Sequence, residues 1–120
     1  MANLRGVRNI GLDHLSRYEA DVISAAVAAA FTVPLSELRH PSRRRASVAL
    51  ARQSAMYLTH VTLGLTFAEV GRVFGRDRTT AAYACRKIED RRTDIGLDTA
   101  LAELEQVLRR DAISTPGAVS

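Results

Sequence analysis

Apolar residues along this chain recur mostly at intervals of three and four, the period of a helix with one buried face. From His14 to Phe31 the series runs Leu15, Tyr18, Val22, Ile23, Ala26, Val27 and Ala30, which predicts a helix capped at its start by Asp13 or Ser16. Thr32-Val33-Pro34 ends it, because proline disfavours helical geometry in the residue before it. Leu35 to Arg39 has room for one turn with Leu35 and Leu38 inward, and His40-Pro41-Ser42 breaks the chain again. A long helix is predicted from about Ser47 to Leu63 on the stripe Val48, Ala51, Ala55, Leu58, Val61 or Thr62, and Leu65, with Gly64 as its stop. Thr66-Phe67-Ala68-Glu69 has the spacing of a capping box, in which the hydroxyl takes a helix N–H and the carboxylate reaches back. It opens a short helix to Phe74 with Phe67, Val70 and Phe74 on one side, and Gly75 supplies a turn. Asp77 or Thr79 starts the next helix, which runs to about Arg92 with Ala81, Ala84, Cys85 and Ile88 inward. After a break at Thr93 to Gly96, a last amphipathic helix follows to Arg110 on Leu97, Leu101, Leu104 and Leu108. Residues 1–12 show no clear period and read as a flexible arm, and 111–120 as a disordered tail, leaving one all-α domain over 13–110.

Composition agrees with one domain. The 120 residues, 47% hydrophobic and 25% charged, suffice for a single globular core. Alanine, leucine and arginine dominate, a bias toward helix. No apolar run approaches the ~18 residues of a membrane span, and no apolar stretch follows the first arginines as in a secretory leader, so a cytoplasmic protein is expected. Cys85 is the single cysteine, and His14, His40 and His60 lie far apart, so neither a disulfide nor a metal site is expected. No Gly-x-x-x-x-Gly-Lys-Ser/Thr stretch builds a phosphate loop and no spacing suggests a catalytic triad, so the expectation is a non-enzyme without cofactor.

Charge changes the picture more. Between Arg39 and Arg92 twelve Lys/Arg face four acids, whereas the rest of the chain carries five basic and nine acidic residues. A basic middle between acidic ends suits a polyanion ligand, and equally a solvated arginine-rich surface. The order short capped helix, Gly75, second helix over Thr66 to Arg92 is that of a helix-turn-helix, and such helix pairs also occur in ordinary bundles. In the DNA-binding version the leading residues of the second helix enter the major groove. Here they are Arg76, Asp77, Arg78, Thr79 and Thr80. Arginine reaches guanine O6 and N7 with two bonds, threonine offers a hydroxyl and a methyl, and the helix N-terminus favours phosphate. Asp77 is awkward beside phosphates and suits a cap or a brace for Arg78. Tyr83, Arg86 and Lys87 fall toward the outer faces. Arg43, Arg44 and Arg45 either insert into a narrow minor groove or form a solvated charge run. Arg52, on the helix that follows, either reaches phosphate or pairs with an acid.

The stretch Arg76-Asp77-Arg78-Thr79-Thr80-Ala81-Ala82-Tyr83-Ala84-Cys85-Arg86-Lys87-Ile88-Glu89 resembles the signature of the C-terminal DNA-binding domain of the bacterial replication initiator DnaA. Arg43-Arg44-Arg45, Val48-Ala49, Arg52-Gln53 and Phe67-Ala68-Glu69-Val70-Gly71 extend the similarity, which reaches from about Val22 to Leu108. The resemblance implies a Trp-repressor-like helix-turn-helix bundle of five to six helices. It implies Arg44 in the minor groove, Arg52 and Gln53 at the DNA backbone, Thr79 at base edges, and Asp77, Thr80 and Tyr83 near phosphate. Arg78 stands in the place of a base-reading histidine, and His60 where a lysine is usual. One glycine of a Gly-Gly pair is missing before Arg76, and Ala46, Leu50 and Ala51 stand where Arg and Pro are common. The implied partner is double-stranded DNA bearing initiator-box-like sequences, bound to regulate replication or transcription; no long heptad pattern suggests a dimer coil, so a monomer is expected. The alternative implied is a protein-interaction regulator that contacts the initiator or its inactivating factors.

Overall fold

The chain is all helical in the computed structural model, which describes the backbone of residues 2–39 and 45–113 and the side chains of 17–38 and 45–109. Among the described residues six helices follow in order: α1 (Ala2–Phe31), α2 (Leu35–Arg39), α3 (Ala46–Leu63), α4 (Phe67–Phe74), α5 (Arg78–Arg91) and α6 (Ile95–Ile113). Eleven of the twelve helix boundaries fall within three residues of the predicted ones. The helix α1 is longer at its start, helical from Ala2 rather than from about His14, and α6 continues to Ile113.

Each break has a local cause. At the end of α1 the Val33 amide donates to the Ala28 carbonyl at 2.9 Å and the Thr32 amide to Ala29 at 3.3 Å, the pair of bonds of a Schellman ending. Thr32 therefore takes a φ of 56°, in the left-handed region usually occupied by glycine. Gly64 (φ 69°) and Gly75 (φ 69°) end α3 and α4 in the same conformation at no steric cost.

The helix α3 is the centre of the molecule and touches each of the other five. It is buried almost all round: besides Val48, Ala51, Ala55 and Leu58, the side chains of Arg52, Ser54, Met56, Tyr57 and Thr59 are enclosed. Thr59 is satisfied by donating to the Ala55 carbonyl at 2.8 Å, one turn back. A larger core joins α1, α3, α5 and α6 through Ile23, Val27, Leu58, Ile88 and Leu101. A smaller one, built on Met56, Leu65, Val70, Ala81 and Ala84, sits between α3 and the α4–α5 pair.

The inner face of α1 differs from the predicted stripe. Ile23 and Val27 of that stripe are buried and Ala26 is half-buried, but Tyr18 (69% exposed), Val22 and Ala30 point outward, and Ala20, Ser24 and Ala28 are buried in their place. The buried face is thus rotated about the shared Ile23 and Val27 toward small side chains, which let α1 lie close against α3.

Candidate nucleic-acid interface

The helix pair α4–α5 is fixed by three local devices. Thr66 and Glu69 complete the capping box: the Thr66 amide donates to Glu69 Oε1 at 2.8 Å and the Glu69 amide to Thr66 Oγ1 at 3.1 Å. At the other end of α4 the Arg76 amide donates to the Gly71 carbonyl at 2.7 Å and the Gly75 amide to Arg72 at 3.2 Å, a second Schellman ending. The third device is Gly71 itself. A β-carbon there would stand 2.7 Å from the Arg76 carbonyl oxygen and 2.8 Å from that of Asp77, so the turn folds over a place that holds a hydrogen and nothing larger. A glycine inside an eight-residue helix costs about 1 kcal/mol against alanine, and here close backbone approach is its reason.

Asp77 caps α5, accepting from the Thr80 amide at 2.8 Å. That bond, then one from the Thr80 hydroxyl, lowers the carboxyl pKa below its ordinary value. Ala81, Ala84, Cys85 and Ile88 turn inward as predicted, and the small alanines let α5 pack against α4 and α3. Burial pushes the Cys85 thiol up to about 11, with Glu89 adding to the effect, so it stays protonated and inert near neutrality.

The outward side of α5 then follows from helical geometry. Arg78 and Thr79 are exposed on the leading turn, Thr80 is half-buried, and Tyr83 and Arg86 are exposed one and two turns on. Lys87 is half-buried, with its ammonium 3.5 Å from the Tyr83 hydroxyl and 5.7 Å from the centre of its ring. Glu89 and Asp90 occupy the far end. The outward side of α5 thus carries Arg78 on its first turn, Arg86 two turns on, and Glu89, Asp90 and Arg91 at its finish, and the free N–H groups of its first turn favour an anion there.

The remaining residues singled out in the sequence are placed differently. Arg45 is exposed and extended immediately before α3, while Arg43 and Arg44 lie outside the described residues. Gln53 is half-buried. Arg52 is only 6% exposed; its Nε donates to the Leu38 carbonyl and its Nη2 to that of Glu37, both at 3.1 Å. It closes the C-terminal end of α2 and so fixes the point from which the chain leaves for the arginine segment. His60 turns its ring onto Phe67, 4.6 Å between centroids, and Nδ1 donates to the Leu65 carbonyl at 2.6 Å, bracing the link between α3 and α4. Arg76 is half-buried, in the wall of a cleft that Arg17, Asp21, Arg52 and Arg72 also line.

A buried-side tie that residue patterns did not single out is Arg92. Its guanidinium bonds Asp98, Glu105 Oε2 at 3.0 Å and the Tyr57 hydroxyl at 2.9 Å, joining the end of α5 to α3 and α6. Burial works against its charge, but bonds to Tyr57, Asp98 and Glu105 outweigh it and raise the pKa. Three partners scattered over 48 residues leave no short motif to read.

With this arrangement in place, comparison with known proteins is decisive. The family model described as the bacterial DnaA protein helix-turn-helix matches residues 20–88, from the buried face of α1 to the last core residue of α5. The chain belongs to that family. The chromosomal replication initiator protein DnaA of Thermomicrobium roseum is 39% identical over 94 residues, covering 77% of this chain and 20% of the relative. That of Mycobacteroides abscessus is 44% identical over 69 residues, covering 58% of this chain and 14% of the relative. The chain therefore spans a fifth or less of the length of these initiators, and α6 lies beyond the stretch that matches the DnaA helix-turn-helix family. Among the described residues no helix is long and apolar enough to cross a membrane, and no group of three His, Cys, Asp or Glu could hold a metal ion.

Proposed function

We propose that this chain binds double-stranded DNA and reads sequences related to the boxes of the replication initiator, thereby regulating replication initiation or transcription. Binding is its whole activity and no chemical step is involved. The observation that carries the reading is the division of labour on α5: Ala81, Ala84, Cys85 and Ile88 are buried, while Arg78 and Thr79 stand exposed on the turn that Asp77 caps. In a helix-turn-helix that turn faces base edges in the major groove. Arg78 suits guanine through a bidentate contact, and Thr79 suits a thymine methyl. Arg45, Tyr83, Arg86 and Lys87 supply phosphate contacts, and Arg43 and Arg44 the minor-groove contact. Arg52, His60 and Asp77 act through the positions they give their neighbours rather than by touching DNA.

The test is selection of bound duplexes from a random pool at stated salt, followed by mobility-shift titration of the selected and a scrambled duplex. Arg78→Ala and Thr79→Ala are each expected to cost roughly 1–3 kcal/mol on the selected duplex and little on the scrambled one. Equal, weak binding to both duplexes by the unaltered chain would refute the sequence-specific form.

A second reading is favoured by a different surface. Tyr18 and Val22 on α1 and Ile95 (81% exposed) and Val107 on α6 are apolar side chains left exposed on helices other than α5. Such a surface suits contact with the initiator or its regulators. Regulation retained by an Arg78→Ala variant that no longer binds DNA would select this reading.

A further inference from the structure

A cleft of about 200 Å³ opens between the end of α3, the start of α4 and the second half of α5. Its walls are rings and small side chains. Tyr57, His60 and Phe67 contribute the rings, with His60 and Phe67 at 4.6 Å between centroids, and α5 contributes the Ala82 methyl and the protonated Cys85 thiol. The Tyr57 hydroxyl accepts from Arg92, and His60 Nδ1 donates to the Leu65 carbonyl, so neither is spare for a ligand. A cavity of roughly 150 Å³ lined by apolar side chains takes up benzene. This cleft therefore has room for one aromatic or branched aliphatic side chain.

The rim is different in kind. Arg86 and Glu89, both exposed, complete the lining. They stand three residues apart on α5, yet neither has an ion-paired or hydrogen-bonded side-chain partner among the described residues. The Glu89 carboxylate overlooks the cleft, since its charge acts on Cys85 in the wall. Residues three apart on a helix hold their β-carbons ~5–6 Å from one another. A single carbon atom bearing both a carboxylate and an ammonium group can bridge that interval, with its anion on the guanidinium fork and its cation on the acid.

We propose that this cleft binds an α-amino acid with an apolar side chain: Arg86 takes its carboxylate, Glu89 its ammonium, and the side chain lies against Phe67, Tyr57 and Ala82. The combination selects a zwitterion. A phosphate or a metal cation meets only one of the two rim charges, and a neutral apolar molecule leaves both unused. Arg86 is also a phosphate contact in the DNA-binding reading, so a bound amino acid withdraws it from DNA. That consequence rests on the DNA-binding reading, whereas amino-acid binding itself does not.

The experiment titrates the full chain with L-phenylalanine and L-leucine, following backbone amide resonances by NMR, with glycine, N-acetyl-L-phenylalanine and L-phenylalaninamide as controls. Saturable shifts centred on Phe67, Ala82, Cys85, Arg86 and Glu89 are expected with the first two and none with glycine. Blocking the ammonium or the carboxylate weakens binding by roughly tenfold or more, because each removes a charge-assisted contact. Glu89→Gln then loses the preference for free over acetylated phenylalanine, and Arg86→Gln the preference for free over amidated. A merely structural role would weaken all three ligands alike and keep both preferences. Ala82→Leu fills the cleft and removes the shifts without altering either charge. No saturable shift with either amino acid, or equal binding of the free, acetylated and amidated forms, would overturn the proposal. A second arm titrates the pool-selected duplex over a range of salt, with and without saturating phenylalanine. The amino acid is expected to weaken DNA binding and to lower the salt slope by about one, the loss of one phosphate contact. An unchanged slope with the amino acid bound overturns the regulatory consequence. The first arm holds no DNA, so failure to select any duplex sinks the DNA-binding reading and leaves amino-acid binding standing.

Discussion

Asp77 shows how one side chain settles where the recognition helix begins. Its carboxylate accepts the Thr80 amide and its pKa is lowered by that bond, so the cap is strongest when ionised. A folded-state pKa below the unfolded one means stability that is present above the usual carboxylate range and lost as pH falls through the folded value. The start of α5 is therefore expected to fray only at pH below the usual carboxylate range, seen as faster exchange of the Thr80 amide at acid pH in the unaltered chain than in Asp77→Asn. Asparagine caps as well as aspartate does, so Asp77→Asn should keep the helix while removing a negative charge near phosphate, and tighten DNA binding. Thr32 is the converse case, a β-branched residue held at φ 56° by the Schellman bonds of α1. The left-handed region costs an L-residue roughly 1–2 kcal/mol, part of which glycine forfeits as unfolded-chain entropy. Thr32→Gly is expected to stabilise by about 0.5 kcal/mol in urea denaturation; a loss of stability would mean the threonine makes a compensating contact.

At the scale of elements, α4 and the turn behave as one unit whose geometry is set by Gly71. The three atoms nearest an added β-carbon, at 2.7 to 2.9 Å, are all backbone, so none can swing aside as a side-chain tip would. Gly71→Ala must lift the turn from α4, stretching the Arg76–Gly71 bond and moving Asp77. A destabilisation of about 1–3 kcal/mol is expected, as for other overpacked sites, although alanine is intrinsically the better helix former. Thermal unfolding with the selected duplex present and absent checks it, and the variant should lose affinity for that duplex more than for phosphate-only binding to scrambled DNA. Gain of stability by Gly71→Ala would show that the turn is free to move. The same logic explains α1: spacing places Ile23 and Val27 inward, and only packing against α3 decides which neighbours flank them.

The whole molecule is held at its far end by Arg92. Its bonds to Tyr57, Asp98 and Glu105 connect α3, α5 and α6 at one point, partly screened from water. Arg92→Leu leaves Glu105 and the Tyr57 hydroxyl without that donor, and a loss of about 1.5–3 kcal/mol is expected, measured as a fall in the urea midpoint. Because Arg92 lies at the opposite end of α5 from Arg78, the folded variant should keep its selectivity among duplexes. Altered selectivity would show that α6 controls the pose of α5. Charge is organised at this scale too, with Arg45, Arg78 and Arg86 exposed and Arg52 and Arg76 drawn inward behind them.

The order of helices, the capping box, the two glycine endings and the inner line of α5 could be read in advance, because each depends on residues within four positions of one another. Arg78 and Thr79 were legible as outward-facing for the same reason: once Ala81, Ala84, Cys85 and Ile88 define the inner face, the opposite face follows. What the pattern left open was every choice between two locally equivalent arrangements. Arg52 has the residue type and spacing of a phosphate contact, yet α2 presents two carbonyls, and a buried guanidinium bonds them. His60, Gly71 and Arg92 have roles set by atoms that other helices bring to them. Local hydrogen-bonding and periodicity are properties of a short segment, whereas desolvation and close approach exist only between segments, so they are decided when the helices meet.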